Sequence, residues 1–239
     1  MNSLLSLARS ARVFARIMAG RDVWVSVRAY GKLGWCGNPS YGGWKVPMDR
    51  VNGRVGVIDA GVGEDLSFSE DLIRHYNAHV VALDPTPKAA HYAHSRDNPA
   101  IDFVNHGLAP EDGKAIFYLP SNRNHVSGSL TAEGHLKGGE IEVELSSLST
   151  AISRLPKRDT LIVKMDIEGA EFDLLDSADF RHCAREIDIL CIEFHHRWPH
   201  FGADRLRQAV KALDALGFSC VWRNAETNEE FTFARATQA

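Results

Sequence analysis

The chain has 239 residues, of which 44% are apolar and 24% are charged, as in an ordinary globular domain. Its formal charge of −4 at pH 7 offers no general attraction for a polyanion, which disfavours nucleic acid as a partner. A membrane-spanning helix needs about 18 consecutive apolar residues, and the sequence contains no such run.

The four cysteines, Cys36, Cys183, Cys191 and Cys220, are far apart in the sequence and form no CxxC pair. Such cysteines are typical of small buried side chains, and their spacing disfavours a zinc site or a disulfide framework. We therefore expect a reducing, cytoplasmic setting. The length predicts one α/β domain over residues 51–239, preceded by an extension over residues 1–50.

The extension begins with a basic amphipathic segment over residues 1–21. It contains four arginines and no acid, interleaved with apolar residues, which predicts a helix. Packing on the domain or on a neighbouring subunit is the favoured interpretation. Weak contact with a membrane surface and an organelle transit peptide are the alternatives.

The rest of the extension is rich in glycine and aromatic residues between Tyr30 and Trp44, which predicts a loop that leads into the domain. The side chains of Trp35, Tyr41 and Trp44 are expected to pack against the domain. A lid over a substrate is the second interpretation of these aromatic residues.

Beyond the extension, short apolar runs alternate with amphipathic segments. The predicted strands are Val55–Ala60, Ala78–Leu83, Ile101–Val104, Ala115–Leu119, Glu142–Leu145, Thr160–Met165, Glu186–Phe194, Phe218–Trp222 and Phe231–Phe233. The predicted helices are Leu66–Tyr76, Lys88–Ser95, Ala170–Asp176 and Asp204–Leu216. This alternation predicts a Rossmann-like α/β fold with a mostly parallel sheet, and the final pair of strands predicts an antiparallel strand at one edge.

The first strand of the domain ends in a glycine turn that is typical of a nucleoside site. Asp59 is followed by Gly61 and Gly63, which let the backbone turn sharply and approach a ligand closely. The next strand ends at Asp84, whose carboxylate is placed to accept hydrogen bonds from ribose hydroxyls. Together these residues predict a site for an adenosine cofactor.

The charge of this turn distinguishes between adenosine cofactors. Asp59, Glu64 and Asp65 would repel a pyrophosphate, and Leu66 stands where a dinucleotide motif has its third glycine. The same acids suit a cofactor that carries a sulfonium and an ammonium group. The turn therefore favours S-adenosylmethionine over NAD.

A second polar cluster follows two later strands. Lys164, Asp166 and Glu168 end one strand, and Glu193 and His195 end the next, so parallel pairing would bring them to one cleft. Lys164 lies within an apolar run, and we expect it to pair with Asp166, Glu168 or Glu193, with a catalytic contact to the substrate as the alternative. Asp166, Glu168 and Glu193 could hold magnesium, although a metal is not favoured.

These motifs resemble the FkbM family of methyltransferases over about residues 53 to 235. The residues that carry the resemblance are the K-x-D-x-E-G-x-E stretch from Lys164 to Glu171, Asp59-Ala60-Gly61, Leu83 to Pro87, Ile192-Glu193 with His195, and Glu230 to Phe233. The chain departs from the family at Gly63, where Asn is usual, and at Asp65, where Gly is usual. The resemblance implies a class I, S-adenosylmethionine-dependent methyltransferase fold with a seven-stranded sheet. It also implies methyl transfer, usually to a hydroxyl oxygen of a small molecule, sugar or lipid.

The chemistry that such a transfer needs assigns roles to several side chains. Removal of a hydroxyl proton favours a base with a pKa near the working pH, so His195 is the first candidate, and Glu168 or Glu193 is the alternative. Leu108 and Ala109 are expected near the adenine, and His125 in the polar loop from Ser121 to Ser129 is expected in a lid. A small molecule or a glycan is the expected acceptor. The rival interpretations are a non-catalytic nucleoside-binding or scaffold domain and an NAD-dependent oxidoreductase.

Overall fold

The computed structural model describes residues 2–39, 41–119, 129 and 138–235. Within these ranges the helices are α1 Asn2–Met18, α2 Ser67–Tyr76, α3 Pro87–Arg96, α4 Leu148–Ser153, α5 Glu171–Asp176, α6 Ala178–Cys183 and α7 Gly202–Ala215. The strands are β1 Leu33–Cys36, β2 Trp44–Pro47, β3 Val55–Ala60, β4 His79–Leu83, β5 Ile101–Val104, β6 His106–Leu108, β7 Gly113–Tyr118, β8 Glu140–Ser146, β9 Thr160–Met165, β10 Ile189–Glu193, β11 Phe218–Arg223 and β12 Glu230–Arg235.

A seven-stranded sheet forms the centre of the molecule, in the order β11-β12-β10-β9-β3-β4-β5. Strands β10, β9, β3, β4 and β5 pair in parallel, which confirms the predicted mostly parallel α/β sheet. The chain winds outward from β3 in one direction and from β9 in the other. Parallel sheets of this type bind ligands beyond the carboxyl ends of the strands at such a switch point.

The last strand, β12, is antiparallel to both of its neighbours, β10 and β11. It is therefore inserted one position in from the edge, and the edge strand is β11. The sequence predicted the antiparallel strand but placed it at the edge, because a hairpin pattern does not reveal which of its two strands pairs with the rest of the sheet.

The glycine-rich segment that was predicted as a loop instead forms a hairpin of β1 and β2. Cys36, Trp44 and Val46 are buried in this hairpin and pack in one core layer with Val55 and Val57 of β3. The opposite layer of the sheet is covered by α4, α5, α6 and α7. Burial of large apolar side chains offsets the low strand propensity of the glycines.

A separate three-stranded sheet, in the order β6-β8-β7, lies between β5 and α4 in the chain. The predicted strands near residues 115–119 and 142–145 belong to this sheet rather than to the central one. Ser129 pairs with Tyr118 at the margin of this small sheet. The predicted lid residue His125 lies outside the described residues.

The basic segment forms α1, as predicted, and among the described residues no helix is long and apolar enough to cross a membrane. Of the α1 side chains, Val13 is the one that is buried in the described structure. The helix is tied to the domain by polar contacts, in which Ser6 and Arg9 bind Glu226. The four cysteines are buried, as the sequence predicted for Cys183, Cys191 and Cys220.

Candidate active site

A cavity of about 390 Å³ lies at the carboxyl edge of the central sheet, where β3 and β9 separate. Its walls come from the hairpin, from the loops after β3, β4, β9 and β10, and from β12. Among the described residues it is lined by six carboxylates and one ammonium group, namely Asp65, Asp84, Asp166, Glu168, Glu193, Glu230 and Lys164. The volume is in the usual range for a small-molecule site, and the lining is strongly acidic.

The glycine turn after β3 forms the floor of the cavity because a side chain would not fit there. Gly61 has a φ of +78°, and a Cβ at this position would lie 1.6 Å from the backbone oxygen of Asp166. Gly63 also has a positive φ, and its amide donates a hydrogen bond to Asp84. Both predicted glycines therefore shape the turn and bring the ends of β3 and β9 together.

Asp84 faces the cavity at the end of β4, as predicted, and is nearly buried. One carboxylate oxygen accepts hydrogen bonds from the amide and the hydroxyl of Thr86, and the other accepts one from Gly63 at 2.9 Å. The second oxygen keeps a lone pair for a further donor. Burial raises the pKa of Asp84, while the hydrogen bonds from Thr86 and Gly63 oppose the rise.

Lys164 pairs with Asp59, and the expectation that it pairs with Asp166, Glu168 or Glu193 is wrong. Its Nζ lies 2.9 Å from Asp59 Oδ1, because β3 and β9 place these two residues side by side. The other Asp59 oxygen accepts a hydrogen bond from Ser69. Burial opposes the charge on Lys164, but Asp59 outweighs it and raises the Lys164 pKa. Asp59 is fully buried behind Lys164, so its role in this structure is to neutralise that cation.

Glu171 connects the two acidic loops and is fully buried. Its carboxylate accepts hydrogen bonds from the amide of Gly169 at 2.8 Å and from the amide of His195 at 2.7 Å. The spacing in E-G-x-E therefore lets the last glutamate of the motif bind the turn that precedes it and the loop after β10. The sequence identified Glu171 only as the last residue of this motif.

His195 lies between Glu168 and Glu171. Its Nε2 is 3.1 Å from Glu168, and its Nδ1 is 3.3 Å from Glu171. Burial would lower the pKa of His195, but hydrogen bonds with these two carboxylates outweigh it and raise the pKa well above its usual value. These contacts favour the protonated ring. Glu168 lines the cavity itself, whereas His195 lies behind the lining residues.

Glu168 adopts a backbone conformation that is unusual for a residue with a side chain. Its φ is +50°, which costs a non-glycine residue about 1–2 kcal/mol. Contacts on both sides hold it there, because its backbone oxygen accepts a 2.6 Å hydrogen bond from Ser129 and its side chain binds His195. Such strain is concentrated at functional sites, and here it points the Glu168 carboxylate toward the cavity.

Burial raises the pKa of two further carboxyl groups at the cavity. The Asp166 pKa rises to about 6. The Glu193 pKa rises well above its usual value, and the nearby Asp166 charge adds to the effect of burial. Glu193 also faces Glu230 across the β10–β12 pair. These groups therefore form a cluster in which like charges oppose full ionisation.

One subset of this cluster has the spacing of a metal site. Asp166, Glu168 and His195 each offer a ligand atom within 4.8 Å of the others. The magnesium set considered from the sequence had Glu193 in the place of His195. A divalent ion would have to displace the proton that Glu168 and Glu171 stabilise on the imidazole ring.

The comparisons with known proteins agree with this arrangement. The model of the FkbM methyltransferase domain matches residues 58–220, which is more than half of the chain. The chain belongs to the FkbM methyltransferase family. The match contains the glycine turn, Asp84, the K-x-D-x-E-G-x-E stretch and the end of β10, which form much of the cavity, whereas the hairpin and Glu230 lie outside it.

Solved structures resemble the chain more distantly. A precorrin-6y C5,15-methyltransferase from Geobacter metallireducens GS-15 is 14% identical, with 78% of this chain and 83% of that chain covered and a TM-score of 0.41. A fibrillarin/Nop5p complex is 8% identical, with coverages of 79% and 77% and a TM-score of 0.41. A mutant of MtNAS in complex with S-adenosylmethionine is 12% identical, with coverages of 96% and 62% and a TM-score of 0.35. No curated protein matches the chain.

The cavity of this FkbM methyltransferase fits S-adenosylmethionine in its chemistry. Its excess of carboxylates suits a ligand with two positive groups, and Asp84 retains an acceptor site for a ribose hydroxyl. Two buried polar atoms in the wall have no hydrogen-bond partner among the described residues, the Trp44 indole nitrogen and one Asp65 oxygen. A polar ligand would satisfy atoms of this kind.

The remaining predicted residues are divided between the cavity wall and the core. Leu108 lines the cavity, whereas Ala109 is buried and binds Ser146 through its amide. Tyr41 and Trp44 of the extension line the cavity on the side of the glycine turn. Trp44 is also buried against the core, as the first interpretation of that segment predicted, while the position of Tyr41 fits the second interpretation.

Proposed function

We propose that the chain transfers a methyl group from S-adenosylmethionine to a hydroxyl oxygen of a small molecule or a sugar. The observation that carries this proposal is the position of the Glu193 carboxylate. It lines the same cavity as Asp84, and among the described residues it has no hydrogen-bond donor. S-adenosylmethionine, when bound, supplies a methyl group on a sulfonium, so the protein has to hold the acceptor and remove its proton.

Glu193 is the group best suited to accept that proton. A neutral alcohol is a weak nucleophile, and a base with a raised pKa removes its proton most effectively near neutral pH. Burial raises the Glu193 pKa in this direction. His195 was the first candidate from the sequence, but its ring carries a proton that Glu168 and Glu171 stabilise. We therefore propose His195 as a positioning residue that holds Glu168 at the cavity.

The acidic lining also supports methyl transfer over the rival functions. A pyrophosphate would meet Asp65, Asp84 and Asp166 at the same edge of the sheet, which disfavours NAD. A scaffold domain would have no need for six carboxylates around one cavity, because their mutual repulsion costs free energy without a cationic ligand. Expected acceptors are neutral or cationic polyols, since anionic ones would be repelled.

The proposal is tested by measuring formation of the demethylated cofactor with a panel of hydroxylated metabolites and glycans. We expect Glu193→Gln to lower turnover by about 10²- to 10⁴-fold while cofactor affinity stays within a few-fold. Wild-type turnover should rise with pH through the raised Glu193 pKa, since only the carboxylate accepts a proton.

His195→Gln is the matched comparison, because it removes the cation from the same loop. Loss of turnover in this variant, with near-normal turnover in Glu193→Gln, would return the role of base to His195. Turnover that a chelator abolishes and magnesium restores would assign the acidic cluster to a metal. A wild-type protein that binds the cofactor and methylates no acceptor would favour the non-catalytic alternative.

A further inference from the structure

Helix α1 turns its apolar face away from the protein. Leu4, Leu7, Phe14 and Met18 recur at positions that share one side of a helix, and each is between 56% and 73% exposed. The opposite side faces the domain, where Val13 is buried. Exposed apolar surface of this extent on a helix marks a binding surface rather than ordinary packing.

Arginine side chains border this apolar face. Arg9 and Arg16 lie on the side of the helix that faces the domain, where they contact Glu226 and Asp22. Arg12 lies nearer the apolar face, Arg21 follows the end of the helix, and residues 1–21 contain no acid. Arg12 and Arg21 are exposed. The helix is therefore a local cation on a chain whose formal charge is −4. An apolar stripe bordered by arginines is the pattern of helices that lie in the surface of an anionic bilayer.

A second copy of the chain is a poorer partner for this face. A symmetric contact would bring the Arg12 side chains of two helices near each other, and residues 1–21 contain no acid to compensate their charge. Anionic lipid headgroups supply the missing negative charge, while the acyl region accepts Leu7 and Phe14. Charge complementarity therefore favours a lipid surface.

The polar contacts of α1 fix where such a surface would lie. Ser6 and Arg9 bind Glu226, in the turn that joins β11 to β12, and β12 begins with the cavity residue Glu230. The helix is thus attached at the carboxyl edge of the sheet, which carries the cavity. We propose that α1 docks the protein on anionic membrane surfaces through Leu4, Leu7, Phe14 and Met18, with Arg12 and the following Arg21 at the headgroups.

The test is flotation of the full chain with vesicles of phosphatidylcholine alone or with 30% phosphatidylserine. We expect binding to the anionic vesicles, weakened by added salt. Arg12→Glu with Arg21→Glu should weaken it by about 10- to 30-fold or more, since each arginine near the surface adds to the binding free energy. Leu7→Gln with Phe14→Gln should abolish it.

The matched control is Lys157→Glu with Arg185→Glu, which changes the net charge by the same amount. Both residues are exposed and precede β9 and β10, so they lie at the edge of the sheet opposite the cavity. This control should float like the wild type, and all variants should keep their cofactor affinity and circular dichroism. Equal losses in the control and the α1 variant would overturn the proposal, as would no flotation of the wild type. A dimer that Leu7→Gln with Phe14→Gln converts to a monomer, without vesicle binding, would assign the face to a subunit contact.

Discussion

Individual buried carboxylates connect separate segments of this protein through hydrogen bonds, and Asp22 is a clear example. It is buried between α1 and β1 in the chain and accepts hydrogen bonds from His196, Arg197, Asn228 and the amide of Val23. These donors come from the loop after β10 and from the turn before β12. Asp22 therefore ties the extension to both loops beside the candidate site.

Replacement of Asp22 by Asn should strongly destabilise the fold. Burial would raise the Asp22 pKa, but the hydrogen bonds from His196 and Arg197 outweigh it and hold the pKa below its usual range. Loss of one partner from a buried charged pair costs about 3–5 kcal/mol, which urea denaturation at pH 7 would measure. The contribution is present above the unfolded pKa of about 4 and is lost as the pH falls below it, so the two proteins should converge in acid.

The exposed Asp214→Asn is the control, since its carboxylate is 70% exposed and lies 4.0 Å from Arg28. It should leave the urea midpoint nearly unchanged. An Asp22→Asn protein as stable as this control would show that the buried network contributes little to stability.

Several residue contacts were beyond what the sequence could predict. The motif at the end of β9 identified Glu168 and placed it with Glu193 in one cleft, and the structure brings both to the cavity wall. The partner of Lys164 depends on the register between β3 and β9, which no local pattern encodes. The role of Glu171 depends on a contact with the loop after β10, and that contact follows from tertiary packing alone.

At the scale of elements, the turn after β3 is the segment whose geometry is most constrained. Replacement of Gly61 by Ala should damage both stability and cofactor binding, because the new Cβ would collide with the backbone of Asp166. Gly202→Ala is the control for this clash, because it carries the cost of a side chain in a left-handed backbone conformation without the collision. Gly202 has a φ of +76°, close to the +78° of Gly61, but its Cβ would meet nothing within 4 Å.

Each alanine carries the left-handed penalty of about 1–2 kcal/mol, and only Gly61→Ala adds the clash. Thermal denaturation should therefore show a clearly larger loss for Gly61→Ala, together with a loss of cofactor affinity that Gly202→Ala does not share. Equal melting temperatures for the two variants would mean that the turn relaxes freely.

How well each strand or helix could be predicted from the sequence depended on its pattern of buried residues. Val55–Ala60 and Thr160–Met165 were predicted with the bounds that the structure has, because mostly apolar runs between polar turns identify buried strands. The β1–β2 hairpin was missed because its glycines indicate a loop, and tertiary packing of Trp44 overrides that local preference. Helices α4 and α6, of six residues each, were not predicted.

At the scale of the whole molecule, the charges are separated. The cavity is lined by six carboxylates among the described residues, whereas α1 carries three arginines and no acid. Lys164, the ammonium group at the cavity, is neutralised by Asp59. A cationic cofactor would therefore meet an acidic cavity at the edge of the sheet where α1 is attached, so membrane docking and methyl transfer would be arranged around one edge of the protein.

The central claim is that this acidic cavity binds S-adenosylmethionine through Asp84, and isothermal titration of the full chain tests it most directly. The protein should bind S-adenosylmethionine and its demethylated product, and should not bind NAD. Asp84→Ala should weaken cofactor binding by about 1.5–3 kcal/mol, as expected for loss of hydrogen bonds to a charged group. Asp204→Ala, at an 86% exposed side chain, should bind like the wild type. Binding of NAD without S-adenosylmethionine, or unchanged affinity in a folded Asp84→Ala protein, would contradict the claim.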